Sequence, residues 1–368
     1  MIMTESVRVL VVDDSALMRK LIPQIIETDS SIQVVGTAMD GNFGLKKIEE
    51  LRPQVVTLDL EMPGMGGLDM LKEIMRRYRL PVIVVSSHST EGASVTLKAL
   101  SMGAFDFVAK PRDVSARMPE IARELIGKIK AAAQSRGVNL PCVPGTLQST
   151  PKIAPDSKKN PTRFVAIGVS TGGPQALQYV LSQFPPDFPG TIVIVQHMPE
   201  GFTEMFARRL DETCAIKVKE AQSGDLLLSG RVLIAPGNRH LRMKRLPLGN
   251  IVVLGDDARV NGHRPSVDVL FQSLAEDFGE QGTAVLMTGM GDDGAEGLGM
   301  VKAAGGLTIA QSEDSCVVYG MPKAAIERGY AVRVIELEAL ANTLQVHCME
   351  NRSRILSRTG KSAGVGKP

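Results

Sequence analysis

The sequence predicts an α/β protein made of two doubly wound parallel-sheet domains. Short β-branched runs alternate with helix-length amphipathic segments almost from end to end. The runs are near-continuously apolar, as strands covered by helices on both faces are. The alternation breaks once, in a stretch rich in Pro, Ser and Lys. With 368 residues, the chain has room for two or three domains at about 150 residues each.

In chain order, residues 7–12, 32–38, 55–58, 82–85 and 105–108 read as buried strands. Residues 16–28, 42–51, 67–78 and 92–102 are the helices between them, and 119–133 is a closing helix. The first domain is set at 1–127 and a basic, Pro-containing linker at 128–161. A second alternation follows over 162–347. Its strands are predicted at 164–169, 191–196, 231–235, 251–254, 283–287 and 307–310, and its helices at 174–183, 202–210, 266–278, 294–304 and 322–327. The Ser-, Gly- and Lys-rich composition of 348–368 predicts a disordered tail.

Composition excludes several function classes. Lys+Arg 42 against Asp+Glu 40 leaves a net charge of +2, too even for a nucleic-acid footprint. Aromatics are 4% with no Trp, which leaves little for base stacking. Cys142, Cys214, Cys316 and Cys348 show neither metal-ligand nor paired spacing, so a reducing, cytoplasmic setting is expected. No run approaches the ~20 apolar residues of a membrane span, so direct membrane insertion is not expected. The apolar run 9–12 stops at Asp13 and Asp14, unlike a signal peptide.

The first domain carries one chemical constellation. Asp13 and Asp14 end its first strand, Asp59 its third, Ser86 its fourth, and Lys110 follows its fifth. In a parallel sheet such groups converge on one crevice. Three carboxylates there call for a cation, and all-oxygen ligands suit Mg²⁺. Val11-Val12-Asp13-Asp14-Ser15, Leu58-Asp59-Leu60-Glu61-Met62-Pro63, Ser86 and Lys110-Pro111 resemble the receiver domain of two-component response regulators. The resemblance implies a flavodoxin-like fold and a histidine kinase as phosphodonor. It further implies Asp59 as phospho-acceptor and Mg²⁺ held by Asp13, Asp14 and Asp59. Ser86, Phe107 and Lys110 match the switch positions.

The second domain carries another. Gly168-Val169-Ser170-Thr171-Gly172 is a G-x-S-x-G turn after a strand and before a helix, the context of an exposed nucleophilic serine. Free N–H groups at such a helix start can stabilise an oxyanion. For a base, position favours His197 at a strand end, then His240, then His263; His88 and His347 are not favoured. Asp292 or Asp293, in a Gly-rich turn after the strand at 283–287, could orient that base or cap the next helix.

Gly168-Val169-Ser170-Thr171-Gly172-Gly173, Gln196-His197-Met198, Arg264-Pro265-Ser266-Val267-Asp268 and Thr288-Gly289-Met290-Gly291-Asp292-Asp293-Gly294 resemble chemotaxis protein-glutamate methylesterases. The resemblance implies a Rossmann-like α/β serine hydrolase with Ser170 as nucleophile, His197 as base and Asp293 as orienting acid. Thr171 and Met290 N–H groups would line the oxyanion hole. It implies glutamyl methyl ester hydrolysis, with glutamine deamidation, on methyl-accepting chemoreceptors, controlled by phosphorylation at Asp59. The esterase reaction would need no cofactor. A phospho-regulated esterase on another substrate and a non-catalytic phospho-dependent adaptor would share these residues.

Overall fold

The structure, a computed structural model, describes residues 6–87, 89–110, 118–135 and 160–361. The chain divides into two compact units, Met1–Gly137 and Val138–Pro368. Among the described residues no helix is long and apolar enough to cross a membrane.

The first unit runs β1 (Val7–Val12), α1 (Ala16–Ile26), β2 (Ile32–Ala38), α2 (Gly41–Leu51), β3 (Val55–Asp59), α3 (Gly67–Arg77), β4 (Val82–Ser86), α4 (Thr90–Ser101), β5 (Asp106–Ala109) and α5 (Met118–Gln134). Every strand pairing is parallel, in the order β2-β1-β3-β4-β5. This is the flavodoxin-like order, with its topological switch between β1 and β3. Ser15, Asp40 and Ser89 start α1, α2 and α4 by accepting from Met18, Phe43 and Gly92 N–H. Val9, Val11, Ile83 and Val85 bury one sheet face against Ile22 and Ile26 of α1 and Leu125, Ile129 and Ala132 of α5.

The expected boundary at 127 falls inside α5. Leu125, Ile129 and Ala132 form an i, i+4, i+7 stripe on the first core, so the helix stays with this unit through Gln134. Of the expected linker, 128–134 is therefore helix, and 136–159 lies outside the described residues, as does His88.

The second unit runs β6 (Phe164–Val169), α6 (Gly173–Leu181), β7 (Thr191–Gln196), α7 (Phe202–Thr213), β8 (Lys217–Glu220), β9 (Arg231–Ile234), β10 (His240–Lys244), β11 (Ile251–Gly255), α8 (Val267–Phe278), β12 (Gly282–Leu286), α9 (Ala295–Ala303), β13 (Leu307–Gln311), α10 (Met321–Glu327), β14 (Arg333–Ile335) and α11 (Leu337–Lys361). Seven strands form a parallel sheet in the order β14-β13-β12-β6-β7-β9-β8. The chain winds outward from β6 through β7 to β8 and β9, then crosses back to β12. The switch point, where open α/β sheets hold their ligands, therefore lies at β6 and β12.

Two expectations change here. The strand expected at 251–254 is β11, which pairs antiparallel with β10 outside the main sheet. Leu241, Met243 and Val252 of this hairpin cover the core formed by Leu270, Phe271 and Leu274 of α8 with Val193, Val195 and Leu286. The expected boundary at 347 falls inside α11. Leu337, Leu340, Ala341, Leu344 and Cys348 make one buried helical stripe, and Thr162 Oγ1 donates to Cys348 O at 3.0 Å.

Candidate active site

Sheet register delivers the candidate groups to one edge. Val169 of β6 pairs with Gln196 of β7, so Ser170 and His197 leave adjacent strands side by side. His197 N–H donates to Val169 O at 3.1 Å and Ser170 N–H to Thr288 O at 3.0 Å, extending both ladders one step. Leu286 of β12 pairs with Gly168, which brings the turn 287–294 to the other side of Ser170. A Cβ at Gly289 would come within 2.8 Å of Ser170 Cβ, so only glycine lets that turn approach so closely.

His197 Nε2 lies 2.8 Å from Asp293 Oδ2, with Asp293 buried and His197 largely so. With that bond as Nε2–H donating, the ring's lone pair is on Nδ1. Nδ1 is buried and meets no protein partner among the described residues. Asp293 is anchored by α8: its carboxylate accepts from Val267 N–H at 2.8 Å, Asp268 N–H at 3.3 Å and Ser266 Oγ at 2.7 Å. Ser266, the N-cap residue of α8, does not cap that helix with its own hydroxyl. Asp293 takes over the capping role from a different turn, where the helix dipole favours its charge. Burial alone would raise its pKa; the His197, Ser266 and Val267 hydrogen bonds outweigh that and hold it far below the usual carboxylate range.

The other acid and the other histidines are placed elsewhere. Asp292 is exposed and paired with Arg328 at 2.7 Å. Neither aspartate side chain caps α9, whose N-cap is Gly294. His240 is fully buried; its Nε2 meets Ala258 O at 3.0 Å and its Nδ1 accepts from Ser266 N–H at 3.3 Å. It supports the Ser266 loop and is not a base for Ser170. His263 is stacked on His197.

Of the expected oxyanion donors, Thr171 follows Ser170 in the chain and Met290 follows Gly289, whose backbone approaches Ser170. Thr288 Oγ1 donates to Thr171 O at 3.0 Å, and Gly289 O accepts from Gly320 and Met321 N–H at 3.0 and 2.9 Å. Both segments are thus tied down, while the Thr171 and Met290 N–H groups donate to no protein acceptor among the described residues. Two turns held rigidly with spare donors suit an anionic oxygen beside Ser170.

In the first unit Asp13, Asp14 and Asp59 offer carboxylate oxygens within 4.8 Å of one another. Lys110 Nζ lies 2.6 Å from Asp59 Oδ2 and 3.2 Å from Asp13 Oδ2. Ser86 is not drawn into this cluster: its hydroxyl donates to Gly92 O at 3.2 Å and accepts from Thr96 Oγ1 at 2.6 Å. Phe107 is buried beneath Lys128, whose Nζ is 5.4 Å from the ring centre. Burial raises the Asp59 pKa above the ordinary carboxylate value; Lys110 only partly counters it and the Asp13 charge adds to it. A raised folded-state value contributes stability that is lost as pH rises through it, so on the Asp59 side the unit is expected to lose stability on ionisation, while the raised Lys110 value shows the same pair favouring the ammonium. Asp59→Asn is expected to raise the thermal midpoint of this unit at pH 7 in scanning calorimetry; a lower midpoint would show that the Lys110 pair dominates.

Residues 165–344 match the family described as CheB methylesterase, and residues 9–121 the response regulator receiver domain. A protein-glutamate methylesterase/protein-glutamine glutaminase 2 of Koribacter versatilis is 59% identical over 358 residues, 95% of this chain and 98% of that protein. Another from Pyrococcus horikoshii is 43% identical, over 93% of this chain and 94% of its own length. The crystal structure of the Thermotoga maritima CheB methylesterase catalytic domain is 43% identical, with a TM-score of 0.49, covering 50% of this chain and 97% of that one. This chain belongs to the protein-glutamate methylesterase/protein-glutamine glutaminase family. It is a hydrolase of the CheB type with a receiver domain at its N-terminal side.

The geometry also assigns work in this methylesterase to residues that sequence reasoning left without a role. Gln196 Nε2 donates to Ser170 O at 3.0 Å and to His197 O at 3.1 Å, tying the two strand exits together. Ser266 supports Asp293, and Thr288 joins Thr171 to the turn at Val318. Strand position signalled Gln196, but its amide bonds depend on backbone only the folded sheet brings close. Gln196→Leu leaves two carbonyls without that donor and is expected to cost about 1–3 kcal/mol. Urea denaturation checks this, and an unchanged midpoint would contradict it.

Proposed function

We propose that Ser170, His197 and Asp293 hydrolyse glutamyl methyl esters, and deamidate glutamines, on the cytoplasmic helices of methyl-accepting chemoreceptors. The observation that carries this reading is the His197–Asp293 pair beside the Ser170 strand exit, with Nδ1 left as the acceptor. Ser170 Oγ bonds to the ester carbonyl carbon as its proton passes to His197 Nδ1. The Thr171 and Met290 N–H groups bind the carbonyl oxygen as it becomes anionic. The carbon–methoxy bond then breaks, and the proton on Nδ1 leaves with methanol. Water attacks the acyl-enzyme by the reverse proton path, freeing the glutamate and restoring Ser170. A glutamine substrate follows the same course with ammonia as leaving group. Asp293 keeps the imidazole in the tautomer that exposes Nδ1 and stabilises the imidazolium.

We further propose that a histidine kinase supplies the phosphoryl group to Asp59 and that this raises the esterase rate, all in the cytoplasm. The all-oxygen set of Asp13, Asp14 and Asp59 fits Mg²⁺, a hard cation. When bound, Mg²⁺ would balance the charge on the phosphoryl oxygens. Phosphorylation adds about −1.5 to −2 charge and new acceptor oxygens beside Lys110. To donate to them, the Ser86 hydroxyl gives up its bond to Gly92 O, and it can still accept from Thr96. Substrate class is tested by methanol release from a methylated receptor signalling domain against a panel of small methyl esters. The receptor should be strongly preferred; turnover of small esters alone would favour a different substrate.

A further inference from the structure

By sequence position His263 ranks third as a base, and the structure gives it another place. Val260 and His263 exchange both backbone hydrogen bonds, N–H to O at 3.1 and 2.9 Å, closing a two-residue hairpin turn over Asn261 and Gly262. Both central residues have positive φ, +52° and +80°, the pattern of a type I′ turn, for which Asn-Gly is the favoured pair. The turn puts two side chains onto the His197–Asp293 pair. Asn261 Nδ2 donates to Asp268 Oδ2 at 2.6 Å and to Asp293 Oδ1 at 3.3 Å. The His263 ring lies flat on His197, with centroids 3.8 Å apart and planes 1° from parallel.

We propose that the Asn261-Gly262 turn is a positioning device for the catalytic base, in which His263, by stacking on His197, fixes the plane through which Nδ1 meets the Ser170 hydroxyl. The proposal rests on the Ser170–His197–Asp293 reading above. The physical need for it is specific. The Asp293 bond holds only one edge of the His197 ring, and the terminal torsion of histidine is broad. One in-plane hydrogen bond therefore leaves the ring free to roll about the Nε2–Oδ2 line. A flat partner in van der Waals contact removes that freedom. His263 is thus a positioning residue, acting through His197.

The test is the rate at which a fluorophosphonate labels Ser170 in the full-length protein, read with kcat and KM for methanol release. Misplacing a base by about 1 Å can cost about 10²-fold. His263→Ala is expected to slow labelling and lower kcat by about 10- to 100-fold on that scale, with KM unchanged. His263→Phe keeps a flat ring and should restore most of the rate. His263→Leu, similar in bulk but not flat, should remain slow. Wild-type labelling by His263→Ala, or His263→Phe as slow as His263→Leu, would overturn the stacking role. A wild-type protein that is not labelled would overturn the serine reading beneath it, a failure distinct from wild-type labelling with no effect of the variants.

Discussion

Ser170→Ala is expected to lower kcat for methanol release by about 10⁶-fold, the scale on which loss of a serine nucleophile removes the whole covalent route. The effect is so large because the covalent route begins at the Ser170 hydroxyl, and the neighbouring candidates are engaged elsewhere. Asp292 is held by Arg328, and His240 is enclosed between Ala258 and Ser266. The fold should be indifferent to the change. Ser170 is held through its backbone, by Thr288 O on its N–H and by Gly173 N–H and Gln196 Nε2 on its carbonyl, and among the described residues its hydroxyl makes no hydrogen bond that the change would remove. An unchanged thermal midpoint alongside the lost turnover identifies the effect as chemical. Retained turnover would remove Ser170 from the mechanism.

Asp293→Asn is the second large effect, expected at about 10⁴-fold in kcat. The carboxylate accepts on both oxygens, from His197 Nε2–H and Val267 N–H on one and from Ser266 Oγ and Asp268 N–H on the other. A carboxamide has one acceptor oxygen, so its NH₂ must face a donor. If it takes the Oδ2 place, it meets both His197 and the Val267 N–H; the ring takes the tautomer with its proton on Nδ1 and loses its basic site, and the start of α8 loses one acceptor. If it takes the Oδ1 place, His197 keeps its partner and the Asp268 N–H loses its acceptor. The depressed Asp293 pKa contributes stability that is present above the unfolded-state value and lost only as pH falls through the folded one. Asp293 therefore stays ionised throughout the working range, and the wild-type pH–rate profile should show no acid limb with a midpoint near pH 4. An acid limb with a midpoint in the carboxylate range would contradict this.

Much of this was legible in the sequence, for a physical reason. Strands buried on both faces need continuous apolar runs, so β1, β6 and β7 stand at the expected residues. Parallel sheets gather chemistry at strand ends, which is why Asp13, Asp59, Ser170 and His197 could be singled out. What was not legible is instructive. The edge strands β8 and β14 are short and carry Lys, Glu or Arg, as edges do, so their pattern is weak. β10 alternates with basic residues because one face is solvated. Both domain boundaries fell inside helices because buried stripes at 125/129/132 and 344/348 run past the composition change. Within the site, Ser266, Asn261 and His263 act on Asp293 and His197 from 27 to 66 residues away in sequence, measured as 293 minus 266 and 263 minus 197. Spacing cannot show such a relation; only the return of the chain through the hairpin to the start of α8 creates it.

The most direct test of the account is methanol release from a methylated receptor signalling domain, with and without a small-molecule phosphodonor, for wild type, Ser170→Ala and Asp59→Asn. The account predicts release by the wild type that rises with phosphodonor, the same basal release without a rise in Asp59→Asn, and none above background in Ser170→Ala. Release by Ser170→Ala at the wild-type rate, or full phosphodonor activation of Asp59→Asn, would contradict it.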